Sequence, residues 1–173
     1  MRRWNGWGDE GFNLAMPEQG QDFLAARIGN GRPLADATLE SVCAKVPETR
    51  LNPTAELQAL IDTTPEARVR HARGQSLADW LAMRSGEFGV FPDGVAYPTT
   101  SDDVQALLSW AAEQSIHLIP YGGGTSVAGH INPLDRGKPV LTVDMGKMNR
   151  LLDLDPESQI ATFGAGTPGP LVE

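Results

Sequence analysis

The sequence predicts an α+β fold, in which a βαβ unit is followed by antiparallel strands and preceded by a helical N-terminal region. Residues 104–112 carry apolar side chains at positions i, i+3, i+4, i+7 and i+8, the spacing of an amphipathic helix, with a short apolar run on each side. Short apolar runs separated by turn residues follow from residue 140 onward, as in a set of strands. The composition changes near residue 88, so we expect a helical region over residues 1–87 and an α+β domain over residues 88–173.

The helical N-terminal region is expected to consist of short helices joined by loops rich in glycine and proline. Ser76 begins the best defined of them, because Asp79 stands three positions later, which is the spacing of a capping box. Gly86 should end this helix, since glycine readily adopts the left-handed conformation that follows a helix. The apolar face of the helix is predicted to contain Leu77, Trp80 and Leu81.

The α+β domain begins with a strand, a helix and a second strand. Residues 94–98 are predicted to form a short strand that proline stops, and Thr100 or Ser101 then caps the helix over the periodic segment. Residues 117–119 form the second strand, so the two strands should be a parallel pair joined by a right-handed crossover. Three more strands are expected at residues 140–143, 151–154 and 159–163.

A run of three glycines, Gly122 to Gly124, follows the second strand, and Thr125 and Ser126 come directly after it. Glycine lets a bound group approach the backbone closely, and successive main-chain amides can form a concave nest that binds anionic oxygen. The two hydroxyls add donors at the same place. Because ligands collect at the carboxyl ends of parallel strands, the loop predicts a phosphate or pyrophosphate site. A flexible turn between two strands is the alternative.

Two better-known phosphate motifs are each incomplete in this sequence. Gly124 and Gly129 match the first half of a P-loop, but His130 and Ile131 stand where its Lys and its Ser or Thr should be. Residues 164–169 match G-x-G-x-x-G after a predicted strand, but neither a helix nor an acidic residue about 20 positions later follows them. Neither a nucleoside-triphosphate site nor a Rossmann dinucleotide site is therefore expected.

The composition argues against several other classes of function. A formal net charge of −8 is unsuited to general nucleic-acid binding, which needs a surplus of Lys and Arg. No apolar run approaches the roughly 18 residues that span a bilayer, so no stable membrane insertion is expected. The single cysteine makes no intramolecular disulfide and suits a reducing compartment, which favours the cytoplasm. The three histidines are too widely spaced for a zinc site, and the pattern identifies no catalytic residue.

A basic segment, residues 68–73, surrounds His71. Such a cluster can meet an acidic substrate or a phosphate, because guanidinium groups form charge-assisted hydrogen bonds with anionic oxygen. A solvated helix end is the simpler interpretation of the same residues.

Five segments carry a combined pattern, at residues 91–98, 102–104, 119–127, 142–150 and 161–166. Together they resemble the FAD-binding domain of the vanillyl-alcohol oxidase family, which has the PCMH-type fold. The opening Arg3-Trp4-Asn5-Gly6-Trp7-Gly8 is similar to the N-terminal signature of one subgroup, the alkyldihydroxyacetonephosphate synthases. The resemblance implies that the predicted α+β domain is the first part of a PCMH-type FAD-binding domain.

The resemblance also implies a set of cofactor-binding residues. The pyrophosphate of FAD would be held by Pro120, Tyr121, Gly122, Gly123, Gly124, Thr125, Ser126, Val127 and Ala128. Some relatives attach FAD covalently through a histidine in this loop, and Gly124 stands at that place here, which implies non-covalent FAD. Residues 164–169 would lie near the flavin side of the cofactor. His130 is interpreted as an ordinary loop residue, with a cofactor contact as the alternative.

The function that the resemblance implies is the FAD-binding portion of a flavin-dependent oxidoreductase or an alkylglycerone-phosphate synthase-like enzyme with a small-molecule substrate. In the synthases, an acyl group on dihydroxyacetone phosphate is exchanged for a long-chain alkoxy group without net redox change. The alternatives are part of an FAD-dependent 2-hydroxy acid (lactate or glycolate) dehydrogenase, and a non-catalytic phosphate- or nucleotide-binding module. Family members continue with a second half of the FAD domain and a cap, so we interpret the 173 residues as an N-terminal fragment, inactive alone, of a parent that could form a homodimer.

Overall fold

The computed structural model describes residues 2–32 and 34–173. The helices, in chain order, are α1 Glu18–Ile28, α2 Leu39–Cys43, α3 Ala55–Gln58, α4 Pro65–Arg70, α5 Leu77–Ser85 and α6 Ser101–Glu113. The strands are β1 Ile61–Asp62, β2 Gly94–Ala96, β3 His117–Tyr121, β4 Val140–Asp144, β5 Leu151–Asp155 and β6 Ile160–Phe163. Short 3-10 turns occupy Met145–Lys147 and Gly169–Leu171. The arrangement is the predicted α+β fold.

Four strands form one mixed sheet in the order β1-β2-β4-β3. Strand β4 is parallel to both β2 and β3, whereas β1 pairs antiparallel with β2 at one edge. The two strands of the βαβ unit are therefore parallel as predicted, but the expectation that they pair directly is wrong. Residues 140–143 are buried along their whole length, and burial on both faces suits a central strand better than an edge strand. The strand at residues 140–143 was expected among the antiparallel strands that follow the βαβ unit. Instead it is the parallel strand β4 in the centre of the sheet, because it is buried on both faces.

Helix α6 has the predicted amphipathic character and begins with a capping box. The side chain of Thr100 accepts a hydrogen bond from the amide of Asp103, whose carboxylate accepts one from the amide of Thr100. This identifies Thr100 rather than Ser101 as the capping residue. Leu107 and Trp110 are buried in a core that also contains Leu51, Leu57, Ala96, Leu141 and Val143. Leu107 and Ala111 of the predicted apolar stripe are buried, whereas Leu108 is 49% exposed and the buried Trp110 was not predicted.

Helix α5 has the predicted capping box and ends at Gly86, but it turns a different face inward. The buried side chains are Asp79 and Met83, whereas Leu77 and Leu81 are 72% and 62% exposed. The predicted apolar face is therefore wrong for Leu77 and Leu81, whereas Trp80 is partly buried and packs against a core that contains Met83. The physical reason is that the carboxylate of Asp79 accepts hydrogen bonds from inside the protein, which orients the helix with this polar side chain toward the core.

A second hydrophobic core joins the N-terminal region to the start of the sheet. It consists of Val42, Val69, Ala72, Met83, Phe88 and Phe91. The ring of Trp4 stacks near Phe88 with the centroids 6.4 Å apart. Strand β1 also adds residues from before position 88 to the sheet. Contacts therefore cross residue 88 in several places, and a division of the chain into two domains there stays a prediction.

Strands β5 and β6 form a separate antiparallel hairpin, which confirms the two last predicted strands. Four of its apolar side chains are each more than half exposed: Leu151, Leu152, Leu154 and Ile160. Among the helices within residues 2–32 and 34–173, none is long and apolar enough to cross a membrane.

Candidate cofactor-binding site

A cavity of about 470 Å³ opens at the carboxyl ends of β3 and β4. Tyr121 and Asp144, the last residues of these strands, are paired in register and both line the cavity. The glycine loop leaves β3 on one side, and the turn after β4 lies on the other. This is the edge of a parallel sheet at which ligands collect, and it is where the sequence predicted a phosphate site.

The glycine loop presents main-chain amides rather than side chains. Among the described residues, no hydrogen-bond acceptor receives the amide N–H groups of residues 123–128. Gly124 has a φ of +64°, and a Cβ atom there would collide with the hydroxyl of Tyr121 and crowd the guanidinium of Arg2. At Gly122 and Gly123, by contrast, a Cβ atom would meet open space or only ordinary contact. The loop therefore combines free donors with room for a ligand to approach the backbone.

Of the nine residues that the sequence singles out, Tyr121, Gly122 and Gly123 line the cavity, and the other six do not. Pro120 lies within β3, and Val127 is 71% exposed. The hydroxyl of Ser126 accepts a hydrogen bond from the amide of His130 at 3.1 Å, so this histidine braces the loop and lies off the cavity wall. A contact of all nine residues with the cofactor stays a prediction.

Residues from the N-terminal region support the loop from behind. The amide of Gln75 donates to the carbonyl oxygen of Ser126 at 2.6 Å. A Cβ atom on Gly74 would collide with that same carbonyl group, so only glycine fits there. The side chain of Asn132 accepts from the amide of Gly74 at 3.0 Å and donates to the buried carboxylate of Asp79 at 2.6 Å. A continuous hydrogen-bonded network therefore fixes the far side of the loop.

His71 lies at the cavity rather than at a solvated helix end, so that interpretation is wrong for this residue. The residue is 8% exposed, and its ring lies 4.6 Å from the ring of Tyr121. Nε2 contacts the carboxylate of Asp144 at 2.9 Å, and Nδ1 contacts the carbonyl oxygen of Ala67 at 2.7 Å. Both ring nitrogens face acceptors, so both are occupied. Asp144 was missed, although its place at the end of an apolar strand could have identified it.

Two tyrosines near this pair keep their protons at neutral pH. Burial, together with the negative charges of Asp144 and Asp62, raises the pKa of Tyr97 to about 12. Burial also raises the pKa of Tyr121, against the opposing positive charge of Arg2. The hydroxyl of Tyr121 therefore has a proton to donate at the cavity wall.

Residues 165–168 form the wall opposite the glycine loop. The amide of Gly166 donates to the carbonyl oxygen of Met148 at 3.0 Å, and a Cβ atom on Gly166 would collide with the carbonyl oxygen of Met145. The glycine at position 166 of the G-x-G-x-x-G pattern thus allows this segment to pack closely against the backbone of Met145 and Met148. The 3-10 turn Gly169–Leu171 follows it.

Arg2 also reaches the cavity, which no sequence pattern had predicted. Its Nη1 donates to the hydroxyl oxygen of Tyr121 at 3.2 Å, and its Nη2 donates to the carbonyl oxygen of Gly124 at 3.3 Å. Residues 2–4 together form part of the wall.

Comparison with known proteins agrees with this geometry. Residues 92–173 match a family described as "FAD binding domain". The chain is 28% identical to alkyldihydroxyacetonephosphate synthase of Trypanosoma brucei brucei over 99% of its own length and 33% of the relative. A solved structure of alkyldihydroxyacetonephosphate synthase superposes with a TM-score of 0.82 and 25% identity, over 98% of this chain and 37% of that one. The mitochondrial D-lactate dehydrogenase [cytochrome] of Kluyveromyces lactis is 36% identical over 44% of this chain and 13% of the relative. The chain thus spans about a third of the synthase relative.

Proposed function

We propose, because residues 92–173 match the FAD binding domain family, that the glycine loop and the adjoining cavity hold the pyrophosphate of FAD in an alkyldihydroxyacetonephosphate synthase-like flavoenzyme. The observation that carries the proposal is the row of main-chain amides at residues 123–128, which have no acceptor among the described residues. Successive main-chain amides in a concave loop can donate hydrogen bonds to anionic oxygen. The nine residues from Pro120 to Ala128 are proposed to hold the pyrophosphate.

The residues around the cavity fit such a group. Gly122 and Gly123 have no side chain, so a ligand can approach their backbone closely, and the space above them is open. Both oxygens of the Asp144 carboxylate already have hydrogen-bond partners, His71 for one and the amide of Gly146, at 2.7 Å, for the other. The hydroxyl of Tyr121 adds a neutral donor. These features support a phosphate-bearing ligand.

When FAD is bound, the flavin supplies the electron-transfer chemistry, and the protein supplies binding and orientation. In this proposal the glycine loop binds the phosphates, and the wall at residues 165–168 orients the part of the cofactor that leads to the flavin. The His71–Asp144 pair holds Tyr121 in place through the ring contact.

Non-covalent binding of FAD is part of the proposal. Gly124 occupies the loop position at which some flavoproteins carry a histidine, and its positive φ and close neighbours leave no room for any side chain. His71 is the histidine on the cavity wall among the described residues, and both of its nitrogens are hydrogen-bonded. The loop position therefore has no histidine, and His71 has no free ring nitrogen, so neither residue can form a covalent bond to the flavin.

The synthase-like assignment is preferred to a 2-hydroxy acid dehydrogenase because similarity to the synthase runs through the N-terminal region as well as the FAD-binding part. Similarity to the D-lactate dehydrogenase covers less than half of the chain. A small-molecule substrate, a homodimer of the parent enzyme, a cytoplasmic location and the absence of nucleic-acid binding stay predictions.

Flavin retention by the purified chain tests the proposal. Gly123→Val should abolish retention, since its methyl groups would enter the phosphate space. The fold should tolerate it, because a Cβ atom there meets only Thr125 Cγ2, at 3.6 Å. The matched control is Gly31→Val, at a glycine with open surroundings away from the cavity.

The measurements are the flavin absorbance spectrum, the Kd for added FAD and the melting temperature. Acid precipitation should leave the FAD in the supernatant if it is bound non-covalently. A Gly123→Val variant with unchanged flavin content would refute the loop assignment. A wild-type chain that binds ADP but takes up no FAD would instead identify a non-catalytic phosphate-binding module.

A further inference from the structure

The N-terminal segment, residues 2–9, is folded against the cavity. The amide of Arg3 donates to the carbonyl oxygen of Gly8 at 2.8 Å, and Arg2 forms an antiparallel bridge with Asp9. Nη1 of Arg70 donates to the carbonyl oxygen of Arg2 at 3.0 Å. These contacts fix the backbone of Arg2 beside the glycine loop, although Tyr121 is 119 positions further along the chain.

The guanidinium group of Arg2 has donors to spare. Its hydrogen bonds to Tyr121 and Gly124 go to neutral oxygens and use two of the five N–H donors that a guanidinium carries. The residue is exposed and lines the same cavity as Gly122 and Gly123. The remaining donors are therefore accessible to a ligand that lies over the loop.

Two other arginines line the cavity, Arg3 and Arg70. Arg70 is paired with two glutamates, at 3.1 and 2.8 Å, and Arg3 donates to the carbonyl oxygen of Phe12 at 2.9 Å and to Oδ1 of Asn13 at 2.6 Å. Within residues 2–32 and 34–173, no carboxylate forms an ion pair with Arg2. An accessible guanidinium without a counter-ion, beside free main-chain amides, suits the oxygens of a phosphate group, because planar guanidinium donors match their geometry.

We propose that Arg2 is a binding residue for the cofactor phosphates, donating to an unesterified oxygen of the pyrophosphate that the glycine loop holds. This inference rests on the proposed function, and it adds a cationic residue from outside residues 92–173 to the site. The charge of Arg2 then sets part of the affinity for ligands that carry a pyrophosphate, and the N-terminal segment becomes part of the binding site.

The test compares the wild-type chain with Arg2→Met, which keeps the stem and removes the charge, and Arg2→Lys, which keeps the charge. Arg32→Met is the matched control, because Arg32 is an exposed arginine away from the cavity. Titrations with FAD, and with ADP as a pyrophosphate probe, are made at low and at high salt. Arg2→Met should weaken binding of both ligands about tenfold at low salt, which is the size expected for one exposed charge-assisted hydrogen bond. The difference should shrink at high salt, because ions screen the lost charge.

The outcomes separate this inference from the proposed function. If Arg2→Met binds FAD with the Kd and the salt dependence of the wild type, the role of Arg2 is overturned while the FAD site stands. A wild-type chain with no affinity for FAD overturns the proposed function and this inference together. If Arg2→Met melts at a lower temperature than the wild type, the Arg2→Lys variant distinguishes the two explanations. Binding of FAD by Arg2→Lys with the wild-type salt dependence supports a charge contact. A loss of FAD affinity in Arg2→Lys as large as that in Arg2→Met shows that Arg2 is structural.

Discussion

Replacement of Asp79 by alanine should both destabilise the fold and weaken cofactor binding. The residue is 2% exposed, and its carboxylate accepts hydrogen bonds from Asn132 at 2.6 Å and from the hydroxyl and the amide of Ser76 at 2.7 and 3.2 Å. Asn132 in turn holds the amide of Gly74, which packs directly against the carbonyl group of Ser126. One buried carboxylate thus links the start of helix α5 to the back of the glycine loop.

The size of the effect follows from these three bonds. A hydrogen bond to a charged group contributes about 1.5–3 kcal/mol, and a buried donor left without an acceptor costs about 1–3 kcal/mol. The three bonds share one carboxylate, so their contributions do not simply add, and we expect a loss of about 3 kcal/mol in the free energy of unfolding. For a chain of 173 residues, this lowers the Tm by about 6–12 °C.

Asp103→Ala is the matched control for Asp79→Ala. Asp103 makes the same capping box at the start of α6, but the residue is only partly buried, its hydrogen bonds are exposed to solvent, and it lies away from the glycine loop. Calorimetry should therefore give a smaller fall in Tm for Asp103→Ala, because water can satisfy the freed donors. Titration with FAD should show weaker binding for Asp79→Ala alone. Equal falls in Tm, or an unchanged Kd for FAD in Asp79→Ala, would refute the reasoning.

Two further predictions concern acid stability and backbone packing. Burial would raise the pKa of Asp93, but hydrogen bonds from Arg50 and from main-chain amides outweigh it and hold the pKa below its ordinary value. Its stabilisation is therefore present above the unfolded-state pKa of about 3.9 and is lost as the pH falls toward the folded-state pKa, so Asp93→Asn should flatten the acid dependence of Tm. Gly166→Ala should push the carbonyl group of Met145 aside and weaken FAD binding in titrations, whereas Gly169→Ala, in open space, should bind FAD like the wild type.

Local patterns allowed most of the fold to be predicted. The cap at Thr100, the amphipathic spacing over 104–112 and the turn residues between β5 and β6 act over a few positions, so the sequence alone contains their cause. The glycine loop was found in the same way, because glycine after an apolar strand is a local signal. Its position at the cavity followed from the rule for parallel strand ends.

Long-range contacts account for what the sequence did not reveal. The insertion of β4 between β2 and β3 depends on burial that only the assembled sheet defines. His71 sits in a basic segment that resembles a solvent-exposed surface, and only its contact with Asp144, 73 positions away, brings it to the cavity. The inward face of α5 was mispredicted because a buried aspartate with partners elsewhere in the chain outweighs two leucines.

The cavity is therefore shaped by two parts of the chain with different roles. The FAD-binding part supplies the main-chain amides of the glycine loop and the wall at residues 165–168, which are features of backbone shape. The N-terminal region supplies charged and polar side chains, namely Arg2, His71 and Asp79, which hold that shape in place or face the cavity. Backbone shape suits a group common to many flavoproteins, whereas a side chain at the cavity such as Arg2 can change while the backbone of the loop stays the same. Differences in cofactor affinity between this chain and other FAD-binding proteins should therefore arise mainly in the N-terminal region.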